Sequence, residues 1–438
     1  MDTNGVFDRA LVERAVAELG ITNLEHATIG QVVLLAMKLE AWTGIPFIRM
    51  DQGVPGLPPC RIGLEAEKAA LDTGIAAIYP PAEGVPVLKA ETSRFVKAFL
   101  NIDISPAACI PVTGSVCGSF GAFIACNQID PAKDTVLFVD PGFPIQKSQL
   151  AMLGMKYASF DIHDHRGLVL RTRLEGFLEK GNISAIIYSN PNNPAWICLT
   201  ENELQIIGGL ASKYGAIVLE DLAYFGMDFR EYLGHPWEPP YPATVARYTD
   251  NYILMFSGSK IFSYAGQRIA VTAVSDKIFG NVYPPLAERY GNSGHFGSTL
   301  INAIYYMVTS GSTHSTQFGL AAMMRAATDG EIDFVGETRE YARRARRMKD
   351  IFLKNGFHIV YDKDEERPIS DGFFFTVGYG RMSSAELMRE LVYYGISSIT
   401  LTTTGSEQPG IRACCSRMTE PMYAMLEERL VVFHKNHP

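Results

Sequence analysis

From about residue 107 this chain alternates short apolar runs with helical segments. The runs fall at residues 110–112, 135–139, 185–189, 216–219, 253–256 and 269–273, and segments 146–154 and 201–214 between them read as helices. Alternation of this kind predicts an α/β domain built on a mostly parallel sheet. In such a sheet, binding residues gather beyond the carboxyl ends of the strands. The chemically suggestive residues of this sequence do follow the apolar runs.

The run before residue 257 ends in Ser257-Gly258-Ser259-Lys260, with Arg268 a short way on. A lysine at the end of a buried strand is costly without a task. One reading is an amine that forms a Schiff base with a carbonyl cofactor, with Ser257 and Arg268 on that cofactor's phosphate. The other is an ordinary strand-end lysine on a solvated loop.

The remaining loops each carry a comparable choice. Thr113-Gly114-Ser115-Val116-Cys117-Gly118 leads into an apolar helix, where free backbone N–H groups can face an anion or serve only as a cap. Phe143 sits between Gly142 and Pro144 and can stack on a flat ring or anchor the loop in the core. In Ser189-Asn190-Pro191-Asn192-Asn193-Pro194-Ala195-Trp196 the prolines hold amide side chains that can donate to a phenolate oxygen, or they make a plain turn. Asp221, after the run at 216–219, can pair a pyridine nitrogen that must stay protonated, with Tyr224 on the ring hydroxyl beside Asn193. It can equally cap the next helix. Arg412 opens a late apolar run and either binds a carboxylate through two parallel bonds or makes a salt bridge between domains.

Around this core the pattern differs. Residues 8–45 read as helical, 47–59 as an extended loop rich in proline and glycine, 61–73 as a helix, 79–89 as a rigid loop and 91–101 as a helix. Beyond about 310, Tyr341, Ala345, Met348 and Phe352 form one stripe of a long helix. The basic residues Arg343, Arg344, Arg346 and Arg347 fall largely off that stripe and read as a solvated face. Segments 373–375, 397–401 and 411–414 read as strands around a helix at 385–394. The expected division is 1–55 packing with the small domain, 56–310 as the large domain and 311–438 as a smaller α+β domain.

The net charge of -8 over 438 residues argues against nucleic-acid or anionic-membrane partners. Seven cysteines without a CxxC pair suit reduced core thiols, and the first residues lack a signal-peptide pattern, so the expected location is cytoplasmic. No apolar run reaches the length of a membrane span. Asp161-Ile162-His163-Asp164-His165 reads as a polar turn, so no metal site is expected.

Taken together, these stretches resemble the class I/II aminotransferase family of fold-type-I pyridoxal-phosphate enzymes. The motifs are Lys260 with Ser257 and Arg268, Pro191-Asn192-Asn193-Pro194, Asp221-Leu222-Ala223-Tyr224, Arg412, Gly53-Val54-Pro55, and Tyr79 with Gly84, Leu88 and Lys89. They stand in the family's order from about residue 45 to 415. The resemblance implies a large domain with a mostly parallel seven-stranded sheet and a smaller α+β domain. It implies Lys260 as Schiff-base lysine and proton carrier, Asp221 on the pyridine nitrogen, and Asn193 and Tyr224 on the ring hydroxyl. It implies Ser115, Val116 (through its backbone), Ser257 and Arg268 on the phosphate, and Phe143 stacked on the ring. Tyr79 would reach the phosphate of a neighbouring subunit in a homodimer with shared sites. Arg412 and the backbone of Gly53 would hold the substrate carboxylate, with Asn193 beside it.

Two departures stand out. Ala195-Trp196 replaces the family's Thr-Gly, and Trp196 beside the substrate would narrow or reshape the pocket. The phosphate loop lacks the usual glutamine or glutamate. The implied activity is transfer of an amino group between an L-amino acid and a 2-oxo acid. The alternative is a β-eliminating carbon–sulfur lyase, and a remote alternative is a regulator that uses this fold as a sensor. Between residues 280 and 310 the only arginine is Arg289. In the resembling family, dicarboxylate specialists use a second arginine from the partner subunit in this region. Arg289, in the helical-looking Leu286-Ala287-Glu288-Arg289, reads as a surface pair with a neighbouring acid. Neutral or aromatic amino acids are therefore expected, in a pocket lined by Phe143, Trp196, Tyr264 and Phe296.

Overall fold

The computed structural model of the protein describes residues 5–438. The N-terminal region holds two helices rather than one continuous helical stretch. Helix Arg9–Glu18 ends before Gly20, whose φ of 64° is left-handed. Helix α1, Ile29–Thr43, starts afresh from a capping box in which Thr28 and Gln31 satisfy each other's backbone N–H groups. The short strand Ile48–Arg49 that follows pairs in parallel with Ile396–Ser397 near the other end of the chain. A second difference lies at residues 79–89, expected as a loop with the helix starting at 91. The helix there is Pro86–Leu100. Proline is well placed at a first helical position, where its missing N–H has no partner to lose.

The central sheet has seven strands. They are β1 (Cys109–Val112), β2 (Thr135–Asp140), β3 (Lys156–Asp161), β4 (Ile183–Ser189), β5 (Ile217–Asp221), β6 (Tyr252–Ser257) and β7 (Ala270–Val274). Their order is β1-β7-β6-β5-β4-β2-β3. β7 runs antiparallel to both neighbours, while every other pairing is parallel. Alternate side chains leave the sheet on opposite faces and enter two separate cores. Leu137, Ile186, Val218 and Leu254 join one core, with Leu204 and Ile207 of helix Glu201–Tyr214. Val136, Phe138, Ile187, Leu219 and Met255 join the other, with Ala122 and Phe123 of α2 (Ser115–Cys126). Cover on both faces explains why these strands read as unbroken apolar runs.

The C-terminal part is built on a four-stranded antiparallel sheet of β8 (Phe357–Ile359), β9 (Phe374–Tyr379), β10 (Ile399–Thr400) and β11 (Ile411–Cys414), in the order β10-β11-β9-β8. Helix Glu340–Lys354 buries Tyr341, Ala345, Met348 and Phe352 on one stripe. Its arginines are paired: Arg343 and Arg344 with Glu340, Arg346 with Asp371 and Arg347 with Glu420. Helix His314–Thr328 packs against Arg61–Asp72 and Pro86–Leu100, so the start of the C-terminal part is layered onto the large one. Among the described residues no helix is long and apolar enough to cross a membrane.

Candidate active site

The strand ends converge on one cavity of about 440 Å³. Ser115, Val116, Phe143, Asn193, Asp221, Tyr224, Ser257, Lys260, Arg268, Gly53 and Arg412 all line it. These residues come from widely separated parts of the chain, and the sheet explains their meeting. Asp221 closes β5 and Ser257 closes β6. Ser115 opens α2 just beyond β1, and Phe143 caps helix α3 (Pro144–Leu153) just beyond β2.

Lys260 lies on the short turn of helix after β6, held at its start by Ser257, whose hydroxyl oxygen accepts from the Ser259 N–H at 3.2 Å. Its ammonium donates to the carbonyl of Gly53. Burial draws the Lys260 pKa down to about 8, and the guanidinium groups of Arg412 and Arg268 act in the same direction. Such an amine is partly uncharged near neutral pH, as a base or nucleophile must be.

Asp221 is buried and accepts one N–H at each oxygen, from Ala223 at 3.1 Å and from the side chain of Gln146 at 3.2 Å. These bonds offset the burial only in part, so its carboxyl is pushed up to about 6. A carboxylate in that position favours a cationic partner. A protonated ring nitrogen meets the need.

At the other end, Gly114 has a φ of 75° and packs so close to Arg268 that a Cβ on it would lie 2.6 Å from Nη2. Glycine there lets a guanidinium sit against the first turn of α2, where the Ser115 and Val116 N–H groups precede the first helical bonds, made by Cys117 and Gly118 to the Gly114 carbonyl. With the Ser257 hydroxyl this makes an anion cradle. Arg412 is fully buried. Nη1 donates to Asn193 Oδ1 at 3.0 Å and Nη2 to the carbonyl of Asp51 at 2.6 Å, while Nε has no partner among the described residues. An orphaned buried donor on a guanidinium is a seat for a carboxylate. Cradle, buried acid and buried amine fit pyridoxal phosphate, and Arg412 fits the carboxylate of an amino acid.

Some expected residues lie elsewhere. Trp196 does not line the cavity. Its φ of 64° turns it inward, where it is fully buried behind Tyr224 at 5.3 Å between ring centroids. A Cβ on Gly372 would collide with its indole ring, so it fills a slot in the core and acts on the pocket through the rings of Tyr224 and Phe374 that it packs against. Tyr264 is also absent from the walls, because its hydroxyl bonds to Glu67. Phe296 belongs to the core on the far face of the sheet. Of the four aromatic residues expected there, Phe143 alone faces the cavity. Tyr79 is 88% exposed and does not line this cavity.

Four contributors had no signal strong enough to single them out. Gln146 supports Asp221. Asp51 gives Arg412 a backbone carbonyl, while its own carboxylate is held by Arg49 and Ser397. Phe374 lies under the Arg412 guanidinium at 4.5 Å, and Ile29 stands at the mouth. The triple phenylalanine at 373–375 is the one hint, since a strand must turn its middle member to the opposite face. A wider groove of about 610 Å³ lies outside the site beside Arg343 and Arg346, and both are already paired with carboxylates.

Residues 45–430 match the family described as aminotransferase class I and II. A probable aspartate aminotransferase of Methanocaldococcus jannaschii is 24% identical over 326 residues, covering 73% of this chain and 79% of that protein. Among solved structures, an aspartate aminotransferase from Thermotoga maritima superposes with a TM-score of 0.74 at 18% identity, covering 96% of this chain and 99% of the other. An alanine aminotransferase from Pyrococcus furiosus gives 0.73 at 18% identity, covering 96% and 99%.

Proposed function

The chain belongs to the aminotransferase class I and II family, whose members depend on pyridoxal phosphate, and on that basis we propose that it transfers an amino group between an L-amino acid and a 2-oxo acid. The observation that carries this reading is a buried amine and a buried carboxylate facing one cavity, with an orphaned guanidinium beside them. The cofactor, when bound, supplies an electron sink for the charge released at the substrate's α-carbon. Every other part of the work falls to side chains of this chain. Ser115, the Val116 N–H, Ser257 and Arg268 hold the phosphate. Asp221, steadied by Gln146, keeps the ring nitrogen protonated, and Asn193 and Tyr224 bind the ring hydroxyl while Phe143 covers the ring. Arg412 and Gly53 seat the substrate's α-carboxylate. Lys260 Nζ takes the α-proton and carries it, which a pKa of about 8 allows.

The preference proposed is for neutral amino acids. Lys260, Arg268 and Arg412 are the cations of this chain that line the cavity among the described residues, and each already has a task. A second substrate carboxylate would find no uncommitted cation on the walls of this cavity. The names of the relatives divide between aspartate and alanine, so they do not decide the point. A homodimer with shared sites is supported by the surface around Tyr79, where Leu71 and Ile78 are also exposed. Unpaired cysteines support a reducing, cytoplasmic setting.

The test is reconstitution with pyridoxal phosphate followed by borohydride reduction. The label is expected on the peptide containing Lys260, and amino acids with pyruvate or 2-oxoglutarate are expected to yield the matching 2-oxo acids. Lys260→Ala should lower turnover by about 10²–10⁴-fold or more. Ammonia released without any amino acceptor would replace this reading with elimination.

A further inference from the structure

Next to the catalytic cavity lies a second one of about 470 Å³. The two share Ile29, Gly30 and Ile145, so the start of α1 and the first turn of α3 form a common rim. Beyond that rim the walls change character. Lys147 and Ser148 of α3 and Tyr157 of β3 replace the carboxylate and phosphate seats of the inner cavity. The Lys147 ammonium is fixed from two sides. It pairs with Asp140, whose side chain is fully buried, and it rests over the rings of Phe138 and Tyr157 at 5.4 and 5.6 Å. A cation held this way keeps N–H groups to offer, while its charge is already balanced.

We propose that the second chamber receives the far end of the substrate's side chain. The amino donors are then 2-amino acids with an extended, uncharged side chain that ends in a hydrogen-bond acceptor. This rests on the amino-transfer reading above and deepens it. Ile29 and Ile145 line both cavities, so the rim that a substrate seated on Arg412 would cross is apolar and suits a hydrocarbon stem. An acceptor arriving in the outer chamber meets the remaining N–H groups of Lys147. A carboxylate arriving there would compete with Asp140 for the same ammonium and bring a second negative charge beside a buried one. Length and neutrality are therefore selected together.

The test uses the holoenzyme and four L-amino acids: 2-aminobutyrate, norleucine, Nε-acetyllysine and 2-aminosuberate. Affinity is read from the change in cofactor absorbance, and product formation is read separately as 2-oxo acid. Nε-acetyllysine is expected to bind at least about tenfold more tightly than 2-aminobutyrate, with norleucine between them and 2-aminosuberate weaker than Nε-acetyllysine. Ser148 is exposed on α3 and lines the outer chamber but not the inner one, so Ser148→Trp should obstruct that chamber. It should abolish the Nε-acetyllysine advantage and leave 2-aminobutyrate affinity within about twofold. Equal affinity for short and long donors, or unchanged Nε-acetyllysine binding in S148W, overturns the proposal. The expected order of affinities without any 2-oxo acid would overturn amino transfer and leave the chamber standing. Product without that order does the reverse.

Discussion

Asp221 shows what a buried charge costs before its partner arrives. Burial lifts its carboxyl to about 6, against 3.8 for the free side chain. In the cofactor-free protein the folded state therefore holds a proton that the unfolded chain gives up. The raised value contributes stability that is fully present below about pH 4 and is lost as pH rises through about 6. Asp221→Asn removes that penalty. The cofactor-free variant should resist urea better than wild type at pH 7.5, by up to roughly 3 kcal/mol, should show no gain near pH 4, and should be severely impaired in turnover. A variant no more stable than wild type at pH 7.5 would mean that Asp221 has a countercharge in the free protein. This residue was legible in the sequence for the reason it is costly. An acid, an amine or a guanidinium at the end of an apolar run demands an explanation, and Asp221, Lys260 and Arg412 all stood out this way. Gln146 and Asp51 did not. Gln146 acts through another side chain from a helix of mixed polarity, and Asp51 contributes a carbonyl that any residue type carries. Trp196 was misplaced because nearness to Asn193 in sequence says nothing of direction, and a left-handed backbone turned it into the core.

Between elements, one close tolerance in the site is that of the loop before helix Arg61–Asp72 against strand β9. A Cβ on Gly53 would lie 2.8 Å from Phe374 Cζ, and that ring carries the Arg412 guanidinium. Gly53→Ala should therefore displace ring and guanidinium together. The expected result is a KM for the amino donor raised about tenfold with a smaller change in kcat, and a loss of about 1–3 kcal/mol in stability. Steady-state kinetics and a thermal melt decide it, and an unchanged KM would show that Phe374 yields without moving Arg412. Elements also differ in how far the sequence reveals them. The buried strands announced themselves by apolar runs. β3 did not, because it is an edge strand whose Lys156 and Tyr157 face outward and only Phe160 and Asp161 are buried. The helix at Pro86 was hidden for another reason. Proline-rich sequence reads as loop, yet one proline at the first position starts a helix without loss.

As a whole, the protein leaves Tyr79, Ile78 and Leu71 exposed together on its surface. If Tyr79 serves the partner's site, co-expressed Lys260→Ala and Tyr79→Ala chains should regain activity above the average of the two parents, up to about one intact site per mixed dimer. Assays at limiting cofactor, with mixed dimers verified, would read this, and activity no higher than that average would assign Tyr79 to its own subunit. The arrangement around Arg412 has a different kind of consequence. Its guanidinium is bonded to the carbonyl of Asp51, 361 positions away, and to the side chain of Asn193, 219 positions away. The proposed carboxylate seat is therefore not a module. No fragment shorter than residues 51–412 contains it, and no single loop grafted onto another scaffold would carry it along.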